Sequence, residues 1–170
     1  MFPVRGAARI RSFLLWGAFL VLPCYLVDQL SKLFVLENLS IGEVIPIVPG
    51  YFELLHVRNT GAAFGILQGL PDPFRTIFFL VITIAACVAI IMIFRATDDD
   101  SVFVKVVLCL ILAGALGNLT DRLVHKEVVD FINVHVRQYS WPTFNIADTY
   151  LSIGMVGLLG YMLKGPRPKP

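Results

Sequence analysis

Charge is scarce in this chain. Asp, Glu, Lys and Arg make up 15% of its 170 residues, where a soluble domain carries about 25%. The net charge is only +2 and no basic run concentrates it, so nothing here suits a nucleic-acid backbone. Cysteine and histidine are scarcer still, three of each. Cys24, Cys87 and Cys109 fall inside apolar blocks, where they act as small hydrophobes rather than as disulfide partners or metal ligands. His56, His125 and His135 are dispersed, and neither HExxH nor CxxC occurs, so no metal is expected. Ser31 and Ser152 lack a histidine near them in sequence, there is no GxSxG, and no exposed cysteine offers a nucleophile.

What the chain has instead is apolar sequence: 57% of it is hydrophobic, gathered into four blocks each long enough to cross a bilayer, which takes about 20 helical residues. They run over about 12–34, 74–94, 102–121 and 145–163. The expectation is an all-α integral membrane protein of four transmembrane helices, a single membrane domain over 1–170. A lipoprotein-type leader ending at "LVLPC" is the competing reading of the N-terminus. Pro23 stands where a small residue is wanted before Cys24, and "YLVDQLSKLF" continues a helix, so the first span is read as retained.

Orientation follows the Lys and Arg in the flanks. Arg5, Arg9, Arg11, Arg95, Lys105, Lys164, Arg167 and Lys169 lie on the side of both termini. Lys32, Arg58, Arg75, Arg122, Lys126 and Arg137 lie on the other. The acidic run Asp98, Asp99 and Asp100 dilutes the bias little. Both termini are therefore expected in the cytoplasm, with outer loops over about 35–73 and 122–144. Asp28 and Lys32, Asp121, and Asp148 then interrupt three different spans at the same outer end. A charge at a helix centre costs roughly 2.5–3.5 kcal/mol on insertion scales and less near the interface, so this convergence marks a working surface.

In the first outer loop, "IPIVPGYFELLHV" alternates around a Pro49-Gly50 turn and predicts a hairpin. "NTGAAFG" follows, small residues after a turn that permit close backbone approach, with Asn59 placed to bond the backbone of a bound peptide. In the second loop, "EVVDFINVHV" surrounds Asp130 with apolar residues, a setting that raises a carboxyl pKa.

The useful groups left at the outer face are carboxylates: Asp28, Asp121, Asp130 and Asp148. Two carboxylates in one site share a proton. The ionised one can activate water while the neutral one donates to a carbonyl oxygen, which hydrolyses an amide without metal or covalent intermediate. Asn145-x-x-Asp148 and Asn118-x-x-Asp121 each place an asparagine beside a carboxylate on one helix face. Ala113, Gly117, Gly154, Gly157 and Gly160 predict close helix packing. A second class of function, a small proton-coupled transporter, would use the same aspartates as a proton relay.

"DQLSK" (28–32), "NTGAAFG" (59–65), "GNLTDR" (117–122), "VVDFI" (128–132) and "FNIAD" (144–148) occur in this order across four apolar spans. In this the chain resembles the lipoprotein signal peptidases (signal peptidase II), aspartyl proteases of the bacterial inner membrane. The resemblance implies a multi-pass hydrolase with no cofactor and its active site at the periplasmic face. It would remove signal peptides from diacylglyceryl-modified prolipoproteins, cutting before the lipidated cysteine, with those substrates and membrane lipid as partners. It implies Asp130 and Asp148 as the catalytic pair, supported by Asp28, Lys32, Asn59, Gly61, Asn118, Arg122, Asn145 and Ala147, and a small extracytoplasmic β-cradle in the first outer loop. Asp121, beside Arg122, is read as an ion-paired structural group. For Asp28, pairing with Lys32 and contact with substrate both remain open.

Overall fold

A computed structural model describes residues 11–61, 69, 71–96, 101–136 and 139–164. The "AAFGILQ" part of the first loop, Arg5, Arg9, Asp98 to Asp100, Arg137, Arg167 and Lys169 lie outside the described residues.

Among the described residues, four helices are long and apolar enough to cross a membrane. Helix α1 spans Arg11–Asn38, continuing past the apolar stretch that stops at Phe34. It contains one widened turn, Gly17–Val21, closed by a bond from the Leu22 N–H to the Gly17 carbonyl. Pro23 explains it. A proline inside a helix offers no N–H and pushes aside the carbonyl four residues earlier, and an i→i+5 turn absorbs that displacement. Helix α2 is Asp72–Ala96. Helix α3 is Val102–His125 and stops at Lys126, whose φ of 65° cannot continue a right-handed helix. Helix α4 is Ile146–Lys164.

The sheet is a four-stranded antiparallel one in the order β1-β2-β3-β4. Strands β1 (Val44–Val48) and β2 (Phe52–Asn59) form the expected hairpin, turning at Gly50 with φ 81°. Pro46 is accommodated because β1 is an edge strand, where a missing N–H costs no central ladder bond. The segment between α3 and α4 supplies what the sequence did not announce: β3 (Val128–Val136) pairs along β2, with Val57 opposite Asp130, and β4 (Tyr139–Ser140) closes on it.

Helix α3 is the centre of the bundle. It packs most extensively against α4 and also touches α1, α2 and β3. Ile90, Phe94, Val104, Leu108 and Ile111 form one core between helices. Val35, Leu39, Val129 and Phe131 form another, which seats the sheet on the end of α1. The outward faces carry exposed Phe19, Val156 and Leu163, as lipid contact requires.

Three glycines set the α3 spacing. A Cβ on Gly154 would stand 2.5 Å from Ile111 Cγ1 and 2.9 Å from the Val107 carbonyl oxygen. On Gly117 it would collide with the Asp28 carboxylate and approach the Ala147 Cβ. Gly114, not singled out from sequence, is as tightly placed against the Ala147 carbonyl, whereas around Gly160 nothing lies within 4 Å. The Gly160 expectation is thus corrected, since a Cβ there would meet open space. Gly117→Ala is expected to lower stability by about 1–3 kcal/mol, the usual cost of overpacking. Thermal unfolding in detergent tests it, and an unchanged midpoint would show that α1 and α3 can part without cost.

Candidate active site

The N-terminal end of α4 is built around a reciprocal cap. Asn145 precedes the helix, and its Oδ1 accepts the Asp148 N–H at 2.9 Å. Asp148 Oδ2 accepts the Asn145 N–H at 3.3 Å. This is a capping box with aspartate in the reaching position, and it puts a carboxylate in the first helical turn, where the helix dipole favours negative charge.

Strand β3 brings the second carboxylate. Its two-residue period turns Val129 and Phe131 toward the end of α1 and leaves Val128 and Asp130 lining the opposite, open side. The Ile132 and Phe131 N–H groups both donate to the Phe144 carbonyl, at 2.7 and 3.0 Å, and the Phe144 N–H returns to Ile132 at 3.1 Å. Residue 144 is thereby held beside residue 132, which places Asn145 next to Asp130.

Asparagines then join the two carboxylates. Asn145 Nδ2 donates to Asp130 Oδ1 at 2.7 Å, and Asn59 Nδ2 donates to Asp130 Oδ2 at 2.9 Å. Asn118 Nδ2 donates to Asp148 Oδ1 at 2.7 Å. Asn118 Oδ1 accepts from Asn145 Nδ2 at 3.2 Å and from Lys32 Nζ at 3.0 Å. An ammonium only donates, so Lys32 fixes which end of the Asn118 amide faces Asp148.

Behind this layer lies a buried ion cluster. Lys32 Nζ is 2.9 Å from Asp28 Oδ2 and 2.9 Å from Asp121 Oδ2, and all three residues are at most 2% exposed. Asp28 Oδ1 accepts the Ala147 N–H at 2.8 Å, tying α1 to the start of α4. Asp121 also accepts the Val129 N–H at 3.1 Å, which anchors β3. Gln29, passed over in sequence although it sits inside "DQLSK", donates to Asp28, Asp121 and the Gly117 carbonyl.

Three expectations are corrected by these contacts. Asp121 pairs with Lys32, not Arg122, because consecutive helical residues point about 100° apart. Arg122 instead donates to the Gly61 and Asn118 carbonyls at 3.0 and 3.2 Å and lies 3.8 Å over the Phe79 ring. Asn118 holds Asp148 rather than the Asp121 of its own helix turn, whereas Asn145 does hold Asp148, through its backbone N–H, and gives its side-chain amide to Asp130. The Asn59 amide is spent on Asp130, while its Oδ1 accepts the Gly61 N–H at 2.9 Å, so it shapes the site rather than reaching for a peptide backbone. For Asp28, ion pairing with Lys32 is what the structure contains.

Both carboxylates open on one cavity of about 820 Å³, lined also by Arg58, Arg122 and Trp141. Burial pushes the Asp130 carboxyl up from its ordinary 3.8 to about 7 and the charge of Asp148 adds to the rise, against the amide bonds from Asn59 and Asn145 and the charge of Lys32. Among the described residues, no group of three His, Cys, Asp or Glu is placed to hold a metal ion.

A family model described as signal peptidase (SPase) II matches residues 20–164. The lipoprotein signal peptidase of Syntrophus aciditrophicus (strain SB) is 40% identical over 144 residues, 85% of this chain and 89% of that protein. That of Syntrophotalea carbinolica is 44% identical over 133 residues, 78% and 81% of the two chains. A bacterial membrane enzyme solved by the in meso method at 2.3 Å superposes with a TM-score of 0.76 at 33% identity, covering 95% of both chains.

Proposed function

The chain belongs to the signal peptidase II family and cleaves signal peptides from prolipoproteins; we propose that it does so as an aspartyl endopeptidase whose catalytic pair is Asp130 and Asp148. The observation that carries this reading is that both line one cavity, with the Asn145 amide and backbone N–H bonded to one carboxylate each. The transporter reading finds no support among relatives that are peptidases by name.

The pair shares one proton, held by Asp130, whose carboxyl is pushed up to about 7 by burial and by the neighbouring Asp148. The ionised carboxylate takes a proton from water as the water oxygen bonds to the scissile carbonyl carbon. The neutral carboxyl gives its proton to the carbonyl oxygen, forming a neutral diol. Collapse returns a proton to the leaving nitrogen, the C–N bond breaks, and the cysteine amine departs.

The chain is a single membrane domain over 1–170 in the bacterial inner membrane, with both termini cytoplasmic and the site at the periplasmic face. The sheet forms a cradle at that face, and the exposed apolar Val44, Ile47 and Tyr51 of its hairpin suit contact with lipid headgroups. The substrate carries a diacylglyceryl group on the cysteine that follows the cut. Membrane lipid is its solvent, and no metal or cofactor takes part.

Purified protein incubated with a diacylglyceryl prolipoprotein in detergent, without metal or ion gradient, tests this reading. Cleavage is expected to persist in EDTA and to be inhibited by peptides bearing a hydroxyl in place of the scissile carbonyl. Loss of activity in EDTA that zinc restores would sink the aspartyl mechanism.

A further inference from the structure

The cavity does not end at the two carboxylates. It continues along α4 past Thr149 to Leu151, Ser152 and Ile153. Ser152 lies four residues beyond Asp148, on the same helix face and about 6 Å deeper along the axis. Its neighbours show how a hydroxyl in such a helix ordinarily finds a partner. Thr149 Oγ1 donates to the Asn145 carbonyl at 3.2 Å, and Thr120 Oγ1 donates to the Leu116 carbonyl at 2.9 Å. The Ser152 hydroxyl makes no such bond among the described residues and stays exposed in the cavity. An unpaired hydroxyl at hydrocarbon depth is unfavourable, so a bound molecule that supplies an acceptor there gains by it.

We infer that the Ser152 hydroxyl donates a hydrogen bond to an ester carbonyl of the substrate's diacylglyceryl group. The inference rests on the reading given under Proposed function. With the scissile bond at Asp148, the lipid on the adjacent cysteine turns toward the membrane interior. Its ester carbonyls follow a few bonds after the sulfur, a reach comparable to one helical turn. They are also the acceptors without an internal donor, whereas helical signal-peptide carbonyls are already bonded within their own segment. Leu151 and Ile153 flank Ser152 in the cavity and suit the start of an acyl chain. Ser152 is thus a specificity residue for the ester, distinct from the groups that handle the proton.

The test compares two lipidated substrates with the same peptide and chain lengths. One is the diacylglyceryl diester, and the other is a dialkylglyceryl diether that lacks carbonyls. With the diester, Ser152→Ala is expected to raise KM about 3- to 10-fold, the range for losing one neutral hydrogen bond, with kcat little changed. Ser152→Thr, which keeps the hydroxyl, is expected to restore KM. With the diether, wild type and Ser152→Ala are expected to coincide. An equal loss on both substrates, or no loss on the diester, overturns the inference while leaving the peptidase reading intact. Failure of the wild type to cut the diester overturns both.

Discussion

Replacing Asp130 or Asp148 by asparagine is expected to abolish prolipoprotein cleavage, by at least the 10²- to 10⁴-fold that general acid–base catalysis typically supplies, while the protein remains folded. The two carboxylates do different work at any moment, one holding the shared proton and one lacking it, so neither substitutes for the other. An asparagine amide retains the size of the side chain and one acceptor oxygen, which keeps part of the bonding from Asn59 and Asn145 to position 130. Loss of turnover with a retained melting transition separates chemistry from folding. Wild-type kcat/KM should fall as pH rises through about 7, where Asp130 gives up its proton. The same group leaves a mark on stability. Its carboxyl binds a proton more tightly folded, at about 7, than at its ordinary 3.8. The native state therefore binds more protons than the unfolded chain between these values, and wild-type stability declines as pH rises across that window. Asp130→Asn should lack that decline. If Asp130→Asn kept wild-type turnover while a well-folded Asp121→Asn were inactive, the assignment of the pair would be wrong.

Much of this arrangement was legible because membrane helices announce themselves by length and composition. The hairpin at Pro49-Gly50 was legible for a related reason, since its alternation and turn chemistry are local. Strand β3 was not. "VVDFIN" is buried along nearly its whole length, so it shows an apolar run rather than an alternation, and periodicity cannot separate such a strand from other buried segments. Its partner, β2, also lies far away in sequence. The asparagine contacts failed to emerge for the same reason. Spacing on one helix reports which side chains share a face, but Asn118 meets Asp148 across a helix interface, where Gly114 and Gly154 let the backbones of α3 and α4 come close. The Asn145-x-x-Asp148 spacing was visible but read as two positions within a helix. Its role as a cap depends on where α4 begins, and the Phe144–Ile132 pairing holds the chain just before that point.

Replacing Lys32 by methionine is expected to destabilise the protein by about 3–5 kcal/mol, the cost of leaving buried charge without its partner. Lys32 is 2% exposed and the two carboxylates it serves are no more accessible. All three ammonium protons are directed, to Asp28, Asp121 and Asn118, so removing it leaves two carboxylates facing one another with no cation between them. Arginine is not a conservative replacement, because its planar fork cannot aim three donors at partners on two different helices as a compact ammonium does. The consequence reaches the active site through Asn118, whose oxygen would lose the donor that keeps its nitrogen toward Asp148. Asp121→Asn should be milder. Lys32 keeps Asp28, and the Val129 N–H can still find an oxygen, so stability or abundance falls first and turnover only in proportion. The decisive comparison is Lys32→Met alone against Lys32→Met with Asp28→Asn and Asp121→Asn. Removing the stranded charges together should recover part of the lost stability, since the penalty comes from uncompensated charge rather than from the missing side chain's volume. Melting temperatures in detergent measure it. A Lys32→Met protein that melts with the wild type, or a triple variant less stable than the single one, would show that the cluster is not held together by charge.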